Sequence, residues 1–145
     1  MKTFTQAIYS YIQKEYGHMF DKILKEENMT QTEIDVLAFL ANNPEYKRAQ
    51  DIVEIRRITK AQASIAVEKL VKKGLLSREV DQNNRRCHIL HVEKKAAPIM
   101  KKVKKLQHDF DVKAYRGMSQ QEIQAYHQLL MKVYNNVVKS DDIHQ

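Results

Sequence analysis

Between Thr59 and Val92 the chain reads as a capped amphipathic helix, a glycine stop, and two short apolar strands around a polar tip. Few folds accommodate that succession. Thr59 and Gln62 have the spacing of a capping box, in which each side chain satisfies a backbone N–H at the helix start. Ala63, Val67, Leu70 and Val71 then recur at helical spacing, and Gly74 stops the helix, since glycine adopts positive φ freely. Leu75–Val80 and Cys87–Val92 read as strands. Asp81-Gln82-Asn83-Asn84 supplies the turn, and Arg85 and Arg86 follow its tip.

The rest of the chain reads as helix. Three glycines and two prolines in 145 residues leave few breaks. A first helix is expected from Thr3 to Glu26, with Ile8, Tyr11, Ile12, Met19, Phe20 and Ile23 on one face. A second starts at a Thr30/Glu33 capping box and ends at Asn42-Asn43-Pro44, and a third covers Ala49–Arg56. The helix from Thr59 is the fourth. A fifth runs from Lys94 to Arg116, with Pro98 in or near its first turn, and a sixth from Ser119, capped with Glu122, to Lys139. The fold class is therefore mainly α with a small β-hairpin wing: a winged helix-turn-helix region, residues 30–92, with its own core. N- and C-terminal helical segments, 1–29 and 93–145, flank it. Each terminal helix carries a long apolar face that a second copy of the chain would cover, so these segments are expected to form a homodimer; a bundle within one chain is the alternative.

The net charge of +7 is not spread evenly. Lys47 to Lys95 holds thirteen Lys/Arg against six Asp/Glu, and the remainder holds twelve of each. Charge gathered on one third of a chain is the footprint expected of a surface for a polyanion. On a helical wheel with Ala63, Val67 and Leu70 inward, Ala61 and Ile65 point outward, flanked by Lys60, Gln62, Ser64 and Lys69. In a major groove, Gln62 can pair at two points with adenine unless the capping box occupies it. Ser64 can bond a base or a phosphate, and Lys60 a phosphate or guanine. Solvated surface is the alternative for Ser64 and Lys69. Ala61 and Ile65 can touch thymine methyl groups, unless Ile65 packs on another part of the protein. One of Arg85 and Arg86 is expected to enter a narrow minor groove, and the other to bond Asp81 and stabilise the wing. The partner so implied is double-stranded DNA. A winged-helix module that binds a partner protein with its basic face is the alternative.

The run Glu68-Lys-Leu-Val-Lys-Lys-Gly74-Leu-Leu, the wing Asp81-Gln-Asn-Asn-Arg85-Arg86 and the strand Ile89-Leu-His-Val92 leading into a long helix resemble the MarR family of bacterial transcriptional regulators. The resemblance runs from about Thr30 to Val92 and more loosely over the whole chain. It implies a homodimer on a pseudo-palindromic operator, and repression often relieved by a small ligand or by oxidation. It also implies DNA contacts at Lys60, Gln62, Ser64 and the wing arginines. The chain departs from the family pattern at Ala61, commonly serine, and Ile65, commonly arginine. Arg57 stands in a turn that usually holds glycine, and Glu93 replaces a threonine cap.

Other chemistries find little support. Cys87 is the lone cysteine and stands on a strand, where a packed thiol is the ordinary role. The six histidines show no metal-ligand spacing, although His18, His108 and His127 lie on the three terminal helices. No phosphate-binding glycine loop or nucleophile elbow occurs, so neither an enzyme, a cofactor nor a metal is expected. With no apolar run near the ~20 residues of a membrane span and no signal segment, the cytoplasm is the expected location, at the nucleoid when DNA is bound. A small-molecule effector would fit best near Tyr11, Tyr16, His18, Met19 and Phe20, for which core packing is the alternative.

Overall fold

A computed structural model describes residues 4–56 and 58–138. The expected helix start at Thr3, the turn residue Arg57 and the helix end at Lys139 lie outside the described residues. In chain order the elements are α1 (Phe4–His18), α2 (Asp21–Glu26), α3 (Gln31–Asn42), α4 (Ala49–Arg56), α5 (Lys60–Lys72), β1 (Leu76–Asp81), β2 (Asn84–Val92), a 3-10 turn (Lys94–Ala96), α6 (Ala97–Ala114) and α7 (Gln120–Val138). The two strands form one antiparallel hairpin, with Leu76 opposite Val92 and Val80 opposite His88. The fold is mainly α with a β-hairpin wing, as the sequence implies. Among the described residues no helix is long and apolar enough to cross a membrane.

The chain divides into two compact units, Met1–His108 and Asp109–Gln145. In the first, one core joins Phe20 of the turn before α2, Ile23 of α2, Ile34 and Leu37 of α3, Ile52 of α4, Val67 and Leu70 of α5, Leu76 and Leu90 of the hairpin, and Ile99 and Val103 of α6. Residues 30–92 thus share their core with α2 and α6 rather than closing one alone. The expected single first helix is broken: Met19 and Phe20 form a turn, with Phe20 N–H donating to Gly17 O at 3.0 Å. Gly17 weakens helix continuation, and the break lets Phe20 and Ile23 enter the core, where they are 1% and 3% exposed. Likewise the helix expected from Lys94 opens as a 3-10 turn, and α6 proper carries Pro98 in its first turn, where a missing N–H costs nothing.

Helix ends in this unit follow local chemistry. The Thr30/Glu33 and Thr59/Gln62 capping boxes are both formed. After α5, Leu75 N–H donates to Leu70 O and Gly74 N–H to Val71 O, with Gly74 at φ 73, the left-handed stop expected of it. Asn28 closes α2 in the same way at φ 50. Glu33 has a second task. It is 2% exposed, accepts from Thr30 N–H at 2.9 Å, and meets Lys73 Nζ at 3.2 Å; that ammonium also donates to Asn28 O. One buried carboxylate therefore ties the start of α3 to the end of α5.

The second unit holds the end of α6, a turn at Gly117 (φ 80), and α7, whose first turn is capped by Ser119 Oγ accepting from Glu122 N–H at 3.1 Å. No residue of α7 is buried. Leu129, Met131, Val133, Tyr134 and Val137 are each about half exposed or more, from 47% to 66%. Glu33→Ala should remove the carboxylate half of the capping box and the acid partner of Lys73, lowering stability by about 2–3 kcal/mol. Urea denaturation checks this: the midpoint should fall at unchanged slope.

Candidate nucleic-acid interface

The Thr59 cap fixes where α5 begins and therefore which side chains face outward. Ala63, Ala66, Val67 and Leu70 are buried, and Lys60, Ala61, Gln62, Ser64, Ile65 and Lys69 are all exposed. Ile65 is 57% exposed, so it does not pack into the protein. Gln62 Oε1 accepts from Thr59 N–H at 2.9 Å, and Thr59 Oγ1 accepts from Gln62 N–H at 3.0 Å. The carbonyl of Gln62 is thus engaged by the cap, so a two-point pairing with adenine would have to share or break that bond.

The wing differs from its sequence reading in three ways. First, β2 begins at Asn84, so both arginines lie within the strand rather than after a free tip. Second, the register shifts between Val80, paired with His88, and Asp81, paired with Asn84. Arg85, Arg86 and Cys87 fall in that shift, a bulge that replaces simple alternation and re-aims side chains. Third, Asp81 is not held by either wing arginine. Its carboxylate, 4% exposed, accepts from Arg48 Nη2 and, at 2.9 Å, from Asn83 N–H. Among the described residues neither Arg85 nor Arg86 forms an ion pair, and both are exposed. Asp81 does anchor the wing, with Arg48 as its partner.

Arg48 is exposed at its other edge, and Leu90 N–H donates to Lys47 O at 2.7 Å beside it. Together these place α4, α5 and the hairpin around a groove of about 610 Å³. Val53, Val67 and Leu90 give it an apolar floor; Arg48, Lys60, Arg78 and Arg86 give it four cationic groups, against the single acid Glu54. Ser64 and the half-buried Cys87 also line it, and Arg85 lies outside. The sequence pattern did not single out Arg48 and Arg78. Arg78 had a signal, its place on a strand beside the wing; Arg48 had none, since nothing in spacing links it to Asp81.

Of the five residues expected to form an effector pocket, Tyr16 and Phe20 pack together, with ring centroids 5.0 Å apart. Tyr11 and Tyr16 are five residues apart on a helix, hence on different faces, and Tyr11 is 65% exposed. Phe20 is core, Met19 packs against the core, and His18 pairs with Asp21 at 3.2 Å. Only Tyr16 lines a cavity, of about 370 Å³, together with Gln31, Asp35, Phe39, Arg56 and Gln107. Its groups are already linked: Gln31 Nε2 donates to Asp35 Oδ1 at 3.0 Å, Gln107 Nε2 to Tyr16 OH at 3.3 Å, and Arg56 stands 3.6 Å from Asp35. His127 bonds Tyr115 OH at 2.8 Å, and no cluster of three metal-ligating side chains occurs among the described residues.

The Asn83 N–H, and then the Arg48 guanidinium, hold the Asp81 carboxyl below its ordinary value of 3.8, against the opposing effect of burial. A carboxyl depressed in the folded state stabilises at neutral pH, and that contribution is lost as pH falls below about 4. Asp81→Asn should therefore be less stable than the parent at pH 7 and show a shallower loss of stability between about pH 5 and pH 2. Thermal melts across that range test this; parallel curves would remove Asp81 as the titrating anchor.

Residues 27–86, the span from the end of α2 to the wing arginines, match the sequence model of the MarR family. Solved structures agree over nearly the whole chain. A MarR protein from Peptoclostridium difficile is 18% identical with a TM-score of 0.84, over 94% of this chain and 89% of that one. The transcriptional regulator SlyA is 18% identical with a TM-score of 0.83, over 97% and 98%. A putative MarR family transcriptional regulator from Listeria monocytogenes, solved with a 26mer DNA, is 20% identical with a TM-score of 0.82, over 93% and 89%. Residues 27–86 therefore carry the match to the MarR family, and over nearly its whole length the chain shares the fold of these structures.

Proposed function

We propose that this protein is a sequence-specific DNA-binding repressor acting as a homodimer in the cytoplasm, without enzymatic activity. The observation that carries the reading is the groove where α5 meets the wing. An exposed helix face, the bulged Arg86 and the cations Arg48, Lys60 and Arg78 converge there on one side of the protein. In this reading α5 enters the major groove with its N-terminal turns on the bases. Arg86, beside Lys60 and Ser64, faces phosphate, and Arg85, outside the groove, reaches the adjacent minor groove. The Listeria monocytogenes relative seen with a 26mer DNA supports the partner.

The dimer rests on the exposed apolar side chains of α7 and of α1, where Ile8, Tyr9 and Ile12 are each near 45% exposed. Exposed apolar helix faces of this kind mark an interface. Relief of repression by a small ligand would use the Tyr16–Asp35 cavity. Arg56, the last residue of α4, stands at its edge, so a ligand that displaced Arg56 from Asp35 would pull on the turn leading into α5.

Selection from a random duplex library at near-physiological salt tests the function. The expected result is a two-fold symmetric consensus with half-sites about one helical turn apart. A pool that stays random, with binding governed by charge alone, would favour a module that uses its basic face on a partner protein. On the selected site, Arg85→Ala with Arg86→Ala should weaken binding to all duplexes and lower the salt slope by about 0.9 for each phosphate no longer neutralised. Leu129→Glu should shift the protein from dimer to monomer in sedimentation and cost operator affinity with it; an unchanged dimer would place the interface elsewhere.

A further inference from the structure

The outward face of α5 has an apolar centre in a cationic frame. Ala61 and Ile65 are four residues apart, hence on one face, and both are exposed. Lys60 and Lys69 flank them on the helix, and Arg86 lies across the groove from Lys60. The polar groups able to read base edges from this face are few. The Gln62 carbonyl is held by Thr59 N–H, and Glu68 is turned to Lys72 at 3.8 Å.

We propose that Ile65, with Ala61, reads the C5-methyl groups of thymines in the major groove, and that Ile65 is a specificity-determining residue of the operator contact. The proposal rests on α5 being the helix that enters the groove. The thymine methyl is the apolar feature of the major-groove edge, and cytosine has only a hydrogen at that C5 position, beside the amino donor on its C4. Against Ile65 the methyl loses only water, whereas the cytosine amino group would be desolvated without an acceptor, so gain and penalty favour the same base. Side chains at i and i+4 stand about 5–6 Å apart and base pairs rise about 3.4 Å, so Ala61 and Ile65 address pyrimidines one or two steps apart.

Deoxyuridine isolates the effect, because it lacks only the methyl group and keeps every hydrogen bond of thymine. The experiment is replacement of each thymine of the selected operator by deoxyuridine, with affinities measured for the parent and for Ile65→Ala. At one position per half-site the parent should bind about fourfold more weakly per methyl removed, about fifteenfold for a symmetric pair. Ile65→Ala, an exposed substitution that leaves the core intact, should bind the thymine and deoxyuridine duplexes alike at that position. A parent indifferent to deoxyuridine everywhere would overturn the proposal while leaving sequence-specific binding in place. A deoxyuridine effect that persists in Ile65→Ala would overturn the role of Ile65. Failure to select any consensus would overturn the placement of α5 in the groove, and the proposal with it.

Discussion

A two-stranded hairpin alone is marginal in water, and the wing of this protein keeps its place through its seam with Lys47 and Arg48. Leu90 N–H donates to Lys47 O, Arg48 bonds the nearly buried Asp81, and Leu76 and Leu90 sink into the core. Arg48 is tied at its other end as well, its backbone N–H donating to Asp51 Oδ2 at 3.0 Å at the start of α4. One residue therefore fixes both the entry of α4 and the angle of the wing. Since Ile52 of α4 and Val67 of α5 belong to the same core, that angle is set relative to α5 as well. The cationic groove is a consequence of this frame rather than of the arginines themselves.

Much of the frame was legible because it follows from local rules. α4 has the expected bounds, Ala49–Arg56, and both capping boxes and the left-handed stop at Gly74 formed where Thr30, Thr59 and the glycine stand. These depend on interactions within five residues, which a sequence displays. The failures are all long-range or collective. The turn at Met19–Phe20 exists because the core receives Phe20, and a continuous apolar stripe concealed that demand. Asp81 chose Arg48, thirty-three residues away, over adjacent arginines, because the register shift carries Arg85 and Arg86 out of its reach. Of the supposed effector residues, Phe20 is core with Tyr16 and Met19 packed against it, while Tyr11 faces solvent, a division that composition does not reveal.

The terminal helices show the same boundary between pattern and partner. Their apolar faces were evident from periodicity, and α7 indeed buries none of its residues within its own unit. Periodicity says that such a face needs cover and is silent on what supplies it. Symmetry provides the physical argument for a second copy. A face that meets itself across a two-fold axis needs no complementary surface elsewhere, and the same axis would present two α5 helices to a duplex of matching symmetry.

Charge and shape divide the work at the groove. Cations attract any duplex and carry no sequence information, so on the proposed function Arg48, Lys60, Arg78 and Arg86 would account for affinity and register only. Discrimination must come from groups that respond differently to different base edges. On the outward face of α5 the cap has engaged Gln62, and the centre is an isoleucine left exposed to water. An exposed isoleucine gains nothing for the isolated protein. It gains by burial against an apolar partner, and in a major groove the methyl of thymine is that partner. On the proposed placement of α5, Ile65 is a reader that senses the absence of polarity rather than a hydrogen-bonding one.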